Sequence, residues 1–209
     1  RAMRCNGVQE ADITGAKDTA PYRTFEKWAE TLPRAIGNPL YHWTYLELKK
    51  YFGITEPLNA KSAKAIYDKC NARLKDADMS VRGIIDQSNV KLICTTDDPV
   101  DSLEWHKKIK ADPTCKVKVL PAFRPDKAFN IHKPEYPTYM AKLAEVSGVE
   151  IKCFADVVKA LYNRIDFFNE MGCRASDHAL DYAVYAAADE AELDAIVAKG
   201  LAGGAITVD

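Results

Sequence analysis

No CxxC, HxH or HExxH occurs in this sequence, so it carries no motif from which a metal centre could be built. It also lacks GxGxxG and GxxxxGKS/T, the loops whose backbone N–H groups cradle the phosphates of nucleotides. Charge of neither sign is in excess: 29 Lys and Arg stand against 30 Asp and Glu, a net charge of -1. With a pI near 6.5 there is no electrostatic footprint for nucleic acid or an anionic membrane surface. No apolar run approaches the ~18 to 20 residues that span a bilayer. The opening "RAMRCNGVQEADITG" has no signal-peptide h-region. Six cysteines (Cys5, Cys70, Cys94, Cys115, Cys153, Cys173) are scattered, several within apolar strand or helix patterns. They read as reduced thiols of a cytoplasmic protein rather than a disulfide framework.

What is present is ordinary for a globular protein, with 47% hydrophobic and 28% charged residues. The 209 residues suffice for one large domain or two small ones. The chain starts without methionine on a charged stretch and stops on "GLAGGAITVD" with no capping segment, so the expectation is a fragment of a longer protein. Residues 1–89 carry helix patterns and almost no strand signal. "YRTFEKWAETLPRAIG" sets Phe25, Trp28 and Leu32 on one face, and "PLYHWTYLELKKYFG" sets Leu40, Trp43 and Leu46 along one side with Gly53 as a stop. "AKSAKAIYDKCNARLKD" is a third helix with a charged outer face. From residue 90 strands and helices alternate, which implies a parallel sheet with right-handed crossovers. "VKLICT" is a strand, 99–111 its helix, and "KVKVLPAF" the next strand. "TYMAKLAEVSG" is a helix, and in 153–171 Phe154, Val157, Val158, Leu161, Ile165 and Phe168 recur at helical steps. "CRAS" is a short strand, a helix runs from 189 to 199, and "AITV" reads as another strand.

Three strands end in polar clusters, "TTDDP", "AFRPDK" and "RASDHALD". In a parallel barrel or open sheet such ends lie side by side on one face, where ligands bind. Pro99 suits a first helical turn, which makes Asp98 an N-cap rather than a catalytic group and leaves Asp97 at the strand end unexplained. Arg124 could grip a carboxylate or phosphate through two parallel bonds, or pair with Asp126 or a neighbouring strand end; both readings stand. Asp177 and His178 suggest proton transfer, but adjacent residues on an extended chain face opposite ways, so one alone need face the site. Asp181 is a turn or cap residue. His42 reads as a partly buried helix residue and His106 as a surface one.

Four segments carry a family resemblance: "GNPLYHWTYLELKKYFGI" (37–54), "CTTDDPVDSLEWH" (94–106), "LPAFRPDK" (120–127) and "GCRASDHALD" (172–181). The chain resembles the uronate (glucuronate) isomerases across nearly its whole length, with the segments in the family's order. The resemblance implies an α/β fold, part of a distorted (β/α)8 TIM-type barrel of the amidohydrolase kind (90–209) with an N-terminal helical insertion (1–89). It implies interconversion of glucuronate with fructuronate, and galacturonate with tagaturonate, by proton transfer between C1 and C2. Residue by residue, it places Arg124 against the sugar acid and Asp177 in hydrogen bonding to substrate and proton transfer. Asp97 is a third wall of the pocket. A divalent metal, zinc foremost, is implied for the complete enzyme, with ligands outside this chain, so the isolated segment should be inactive. The partner is a hexuronate, with no nucleic acid, no membrane and a homo-oligomer left open. The competing readings are a metal-dependent hydrolase on the same barrel and a catalytically silent module that binds sugar acids.

Overall fold

In the computed structural model, which describes residues 1–15, 19–180 and 185–207, the chain divides into two units, Arg1–Asn89 and Val90–Asp209. The first is helical throughout its described residues: α1 (Ala2–Cys5), α2 (Glu10–Thr14), α3 (Pro21–Thr31), α4 (Pro39–Phe52), α5 (Ala63–Arg73) and α6 (Val81–Gln87). Pro21 and Pro39 open their helices where a missing N–H costs nothing. Asn38 caps α4 by accepting from Leu40 N–H, and Gly53, at φ 66°, ends it in the left-handed conformation that glycine adopts without a Cβ clash. Phe25, Trp28 and Leu32 pack as their spacing predicts, joined by Leu48, Ile54, Leu58 and Ile66. In α4 the buried face is not the one its sequence suggests. Leu40, Trp43 and Leu46 are 40%, 57% and 61% exposed, whereas Tyr41, Tyr45, Leu48 and Phe52 face the core. The helix carries two apolar stripes, and the one at steps of four, three and four follows the 3.6-residue period over its whole length. His42 turns out exposed.

The second unit is α/β. β1 (Leu92–Cys94) pairs in parallel with β2 (Lys118–Leu120), Leu92 opposite Lys118 and Cys94 opposite Leu120. Beyond the strands the parallel pairing resumes, with Asp97 bridging Phe123 and Phe123 bridging Ser176. Around them lie α7 (Glu104–Ala111), α8 (Asp126–Phe129), α9 (Tyr136–Ser147), α10 (Phe154–Glu170) and α11 (Glu190–Leu201). The last is opened by a capping box between Asp189 and Glu192. Met140, Leu143, Val157, Ala160 and Val197 form the core between α9, α10 and α11, and Phe123 meets Phe168 edge-on at 5.1 Å beneath the strand ends. Residues 205–207 form no strand, and Val208 lies outside the described residues.

Two helices of this unit also differ from what their sequence suggests. α7 begins at Glu104, five residues after Pro99, and Asp98 is not its cap. The Asp98 carboxylate instead accepts from Val100 N–H at 3.1 Å, an Asx turn, and from Tyr139 Oη at 2.8 Å. Leu103, at φ 54°, holds the left-handed conformation just before the helix. α10 buries Val157, Ala160, Arg164 and Phe168, while Phe154 and Ile165 of the predicted stripe are 38% and 42% exposed. The Arg164 guanidinium is buried on this face because three main-chain carbonyls receive it. Nε donates to Pro99 O at 2.6 Å, Nη2 to Asp101 O at 2.9 Å and Nη1 to Val146 O at 3.3 Å. Burial depresses its pKa.

Candidate functional site

The main chain itself brings the three predicted site residues together. Asp97 N–H donates to Ala122 O at 3.0 Å and Arg124 N–H to Asp97 O at 2.9 Å, which ties the first strand end to the second. Phe123 N–H donates to Ala175 O at 3.0 Å and Asp177 N–H to Phe123 O at 3.2 Å, which ties the second to the third. Parallel pairing therefore sets Asp97, Arg124 and Asp177 side by side, beyond the carboxyl ends of β1 and β2.

Arg124 and Asp177 meet each other. The guanidinium donates through Nε to Asp177 Oδ1 at 3.0 Å and through Nη2 to Asp177 Oδ2, the two-pronged geometry that distinguishes arginine from lysine. Of the two sequence readings of Arg124, the pairing with a neighbouring strand end is observed. Its Nε also lies 3.8 Å from Asp126 Oδ2. Hydrogen bonding from Arg124 holds the Asp177 carboxyl below the usual carboxylate range, and Asp177 in turn raises the Arg124 pKa. With side chains 35% and 43% exposed, the pair is reachable by a small molecule. His178 does not share the Arg124 fork: its Nδ1 lies 3.5 Å from Asp126 Oδ1 and its ring 5.8 Å from that of Phe129. Asp181 lies outside the described residues.

Asp97 is 9% exposed and its carboxylate is taken up locally. Oδ2 accepts from Thr95 Oγ1 at 2.6 Å and from Ala122 N–H at 3.2 Å. Thr95 Oγ1 lies 2.7 Å from Nε2 of His106, which is buried against it rather than at the surface as the sequence suggested. Nothing in a helix pattern distinguishes a histidine that meets a strand-end threonine from one that meets water. Asp97, Arg124, Asp126 and Lys127 line a cavity of about 360 Å³, with Lys127 Nζ 3.1 Å from Asp98 Oδ2. Two cavities of this unit are larger, about 510 and 590 Å³, and neither is lined by Arg124 or Asp177. Among the described residues no three His, Cys, Asp or Glu side chains are grouped to hold a metal ion. Sequence reasoning passed over Lys127 and Arg164, whose partners lie on other elements.

Fold and cluster together define an α/β protein that gathers its charged residues beyond the carboxyl ends of parallel strands. The family model described as glucuronate isomerase matches residues 1–209, and the chain belongs to that family. It is 57% identical over 207 residues to the uronate isomerase of Lachnoclostridium phytofermentans, covering 99% of this chain and 44% of that protein. To the uronate isomerase of Pectobacterium atrosepticum it is 52% identical over 204 residues, 97% of this chain and 43% of the other. The crystal structure of the Thermotoga maritima uronate isomerase superposes with a TM-score of 0.89 at 34% identity, covering 99% of this chain and 45% of that one. That of the Caulobacter crescentus glucuronate isomerase superposes with a TM-score of 0.85 at 25% identity, covering 96% and 43%. The chain thus spans less than half the length of these relatives. Among the described residues no helix is long and apolar enough to cross a membrane.

Proposed function

We propose that this chain is a segment of a uronate isomerase, a cytoplasmic aldose–ketose isomerase that interconverts glucuronate with fructuronate and galacturonate with tagaturonate. In this reading the second unit is part of a (β/α)8 TIM-type barrel of the amidohydrolase kind, and the first is its helical insertion. The parallel pairing of β1 with β2, prolonged to Ser176, supports the barrel. The observation that carries the function is the Arg124–Asp177 pair, set beyond parallel strand ends in a chain of this family.

Isomerisation moves a proton between C1 and C2 through an enediol-like state, which needs an acid and a base within hydrogen-bond reach. Asp177, held below the usual carboxylate range by Arg124, is ionised at neutral pH and acts as acceptor. The same pairing makes it a weak base. A carboxylate has about four acceptor sites and a guanidinium five N–H donors, so each partner keeps free positions after the two shared bonds. A uronate carboxylate taking those free N–H groups would share the cation, restoring basicity to Asp177 as substrate binds. Asp97 forms the third wall through its backbone and its hold on Ala122, not through a free carboxylate. A divalent metal, zinc foremost, belongs to the complete enzyme in this reading. The residues at hand do not form its donor set, since Asp177 is engaged by Arg124, Asp97 by Thr95 and Ala122, and Asp98 by Tyr139 and Lys127. The test is Asp177→Asn in the complete isomerase that carries this segment, where kcat on glucuronate should fall about 100-fold or more, as for loss of a general base. Near-normal turnover would remove Asp177 from the mechanism.

A further inference from the structure

We infer that Asp126 is a positioning residue: it holds the segment after Ser176 so that Asp177, rather than His178, faces Arg124. The inference rests on the isomerase reading for its kinetic arm and on geometry alone for its structural one. Asp177 and His178 are neighbours on an extended stretch, so a rotation of the chain by one residue would exchange them. A carboxylate facing Arg124 can accept its fork and a substrate proton. An imidazole has a single acceptor nitrogen and cannot take the two-pronged fork.

Three contacts from one carboxylate oppose that exchange. Asp126 Oδ2 accepts from Ala179 N–H at 2.9 Å, a bond across 53 positions of sequence that pins the backbone just past the pair. Oδ1 lies 3.5 Å from His178 Nδ1 and holds the imidazole beside the Phe129 ring. Oδ2 also stands 3.8 Å from Arg124 Nε, the nitrogen that donates to Asp177 Oδ1. The Asp126 side chain is 14% exposed, and its Oδ1 has no hydrogen bond of ordinary geometry, so it is spent on orientation rather than on solvent. No other side chain touches Arg124, His178 and the Ala179 amide at once among the described residues.

Three variants of the complete isomerase test this. Asp126→Ala should lower kcat on glucuronate at least 30-fold while KM stays within threefold. The acid limb of kcat/KM should also move to higher pH, because a misdirected Arg124 no longer depresses Asp177; loss of stability alone would leave that limb in place. Asp126→Asn keeps an oxygen for Ala179 N–H and should stay within fivefold of wild type. Asp126→Glu keeps the charge but is one methylene too long for that bond, and should lose at least tenfold, which carries the test if the alanine variant does not fold. The inference is overturned if Asp126→Ala turns over within threefold of wild type, if its acid limb does not move, or if Asn is as impaired as Glu. A wild-type enzyme inactive on uronates would refute the isomerase reading instead. The crystal structure of Asp126→Ala or Asp126→Glu then decides the orientation: His178 toward Arg124 supports it, and an intact Arg124–Asp177 pair overturns it.

Discussion

Replacing Arg164 by methionine should loosen the turn that carries Asp97 and Asp98 without disturbing the helix that bears the arginine. Methionine keeps the unbranched stem that packs in α10 but removes all three donors. Two of the lost bonds are short, 2.6 Å to Pro99 O and 2.9 Å to Asp101 O, and the third, 3.3 Å to Val146 O, is long. A hydrogen bond from a charged donor contributes about 1.5–3 kcal/mol, so the two short ones amount to roughly 3–6 kcal/mol. Relief of burying a guanidinium whose hydrogen bonds all go to carbonyls offsets part of this, leaving a net loss of about 2–4 kcal/mol. At 1.36 kcal/mol per factor of ten, that is about 30- to 1000-fold in the local opening equilibrium. The reporter is hydrogen exchange of the Asp98 and Asp101 amides, which are bonded to Asp101 Oδ2 and Asp98 O within the turn. They should exchange faster by that factor in Arg164→Met, and by less in Arg164→Lys, which can still reach one carbonyl. Amides of α9, such as Met140, should change little. Unchanged protection at Asp98 and Asp101, or an equal rise across α9, would refute the assignment of Arg164 as the anchor of this turn.

Arg124→Lys keeps the charge but has no fork, so kcat/KM for uronates should fall roughly tenfold or more in the complete enzyme; a value within twofold of wild type would mean the second prong is idle. The depressed pKa of Asp177 fixes the sign of one acid effect. Its pairing stabilises the fold fully above the unfolded carboxylate pKa of about 3.9 and is lost as pH falls through the lower folded value, so Arg124→Gln should flatten stability against pH in that window. Urea titrations between pH 2 and 5, a range bracketing that carboxylate pKa, check it. The 209-residue segment alone should show no conversion of glucuronate to fructuronate even with added zinc, since it spans 44% of its relatives' length and leaves Leu92 and Cys94 of β1 uncovered. Turnover by a monodisperse preparation would refute that.

The strands in "VKLICT" and "KVKVLPAF" and the helices that follow were legible because they are written in local periodicity, whereas "CRAS" forms only an isolated bridge at Ser176 and 205–207 form no strand; the meeting of three polar segments follows from parallel pairing. Which side chains meet there was not legible. The sequence left Arg124 between a ligand and a neighbouring strand end, and the bond to Asp177, 53 residues away, is a contact that no local pattern could supply. The misread polar residues err in one way. Asp98 looked like a cap because Asp-Pro often opens a helix, yet Tyr139 and Lys127 bind it from later elements. His106 looked like a surface residue, and Arg164 drew no reading at all, yet both are buried. Periodicity reports how hydrophobic a face is on average, whereas a buried polar group is tolerated only if a particular partner reaches it. That partner comes from tertiary structure, so local pattern fails where polar residues go inside. Such residues cluster around the Arg124–Asp177 pair, with Asp97, Asp126 and Arg164 each holding a loop that borders it. The least legible part of this chain is therefore the part that bears its chemistry, and the errors of a sequence reading point toward it.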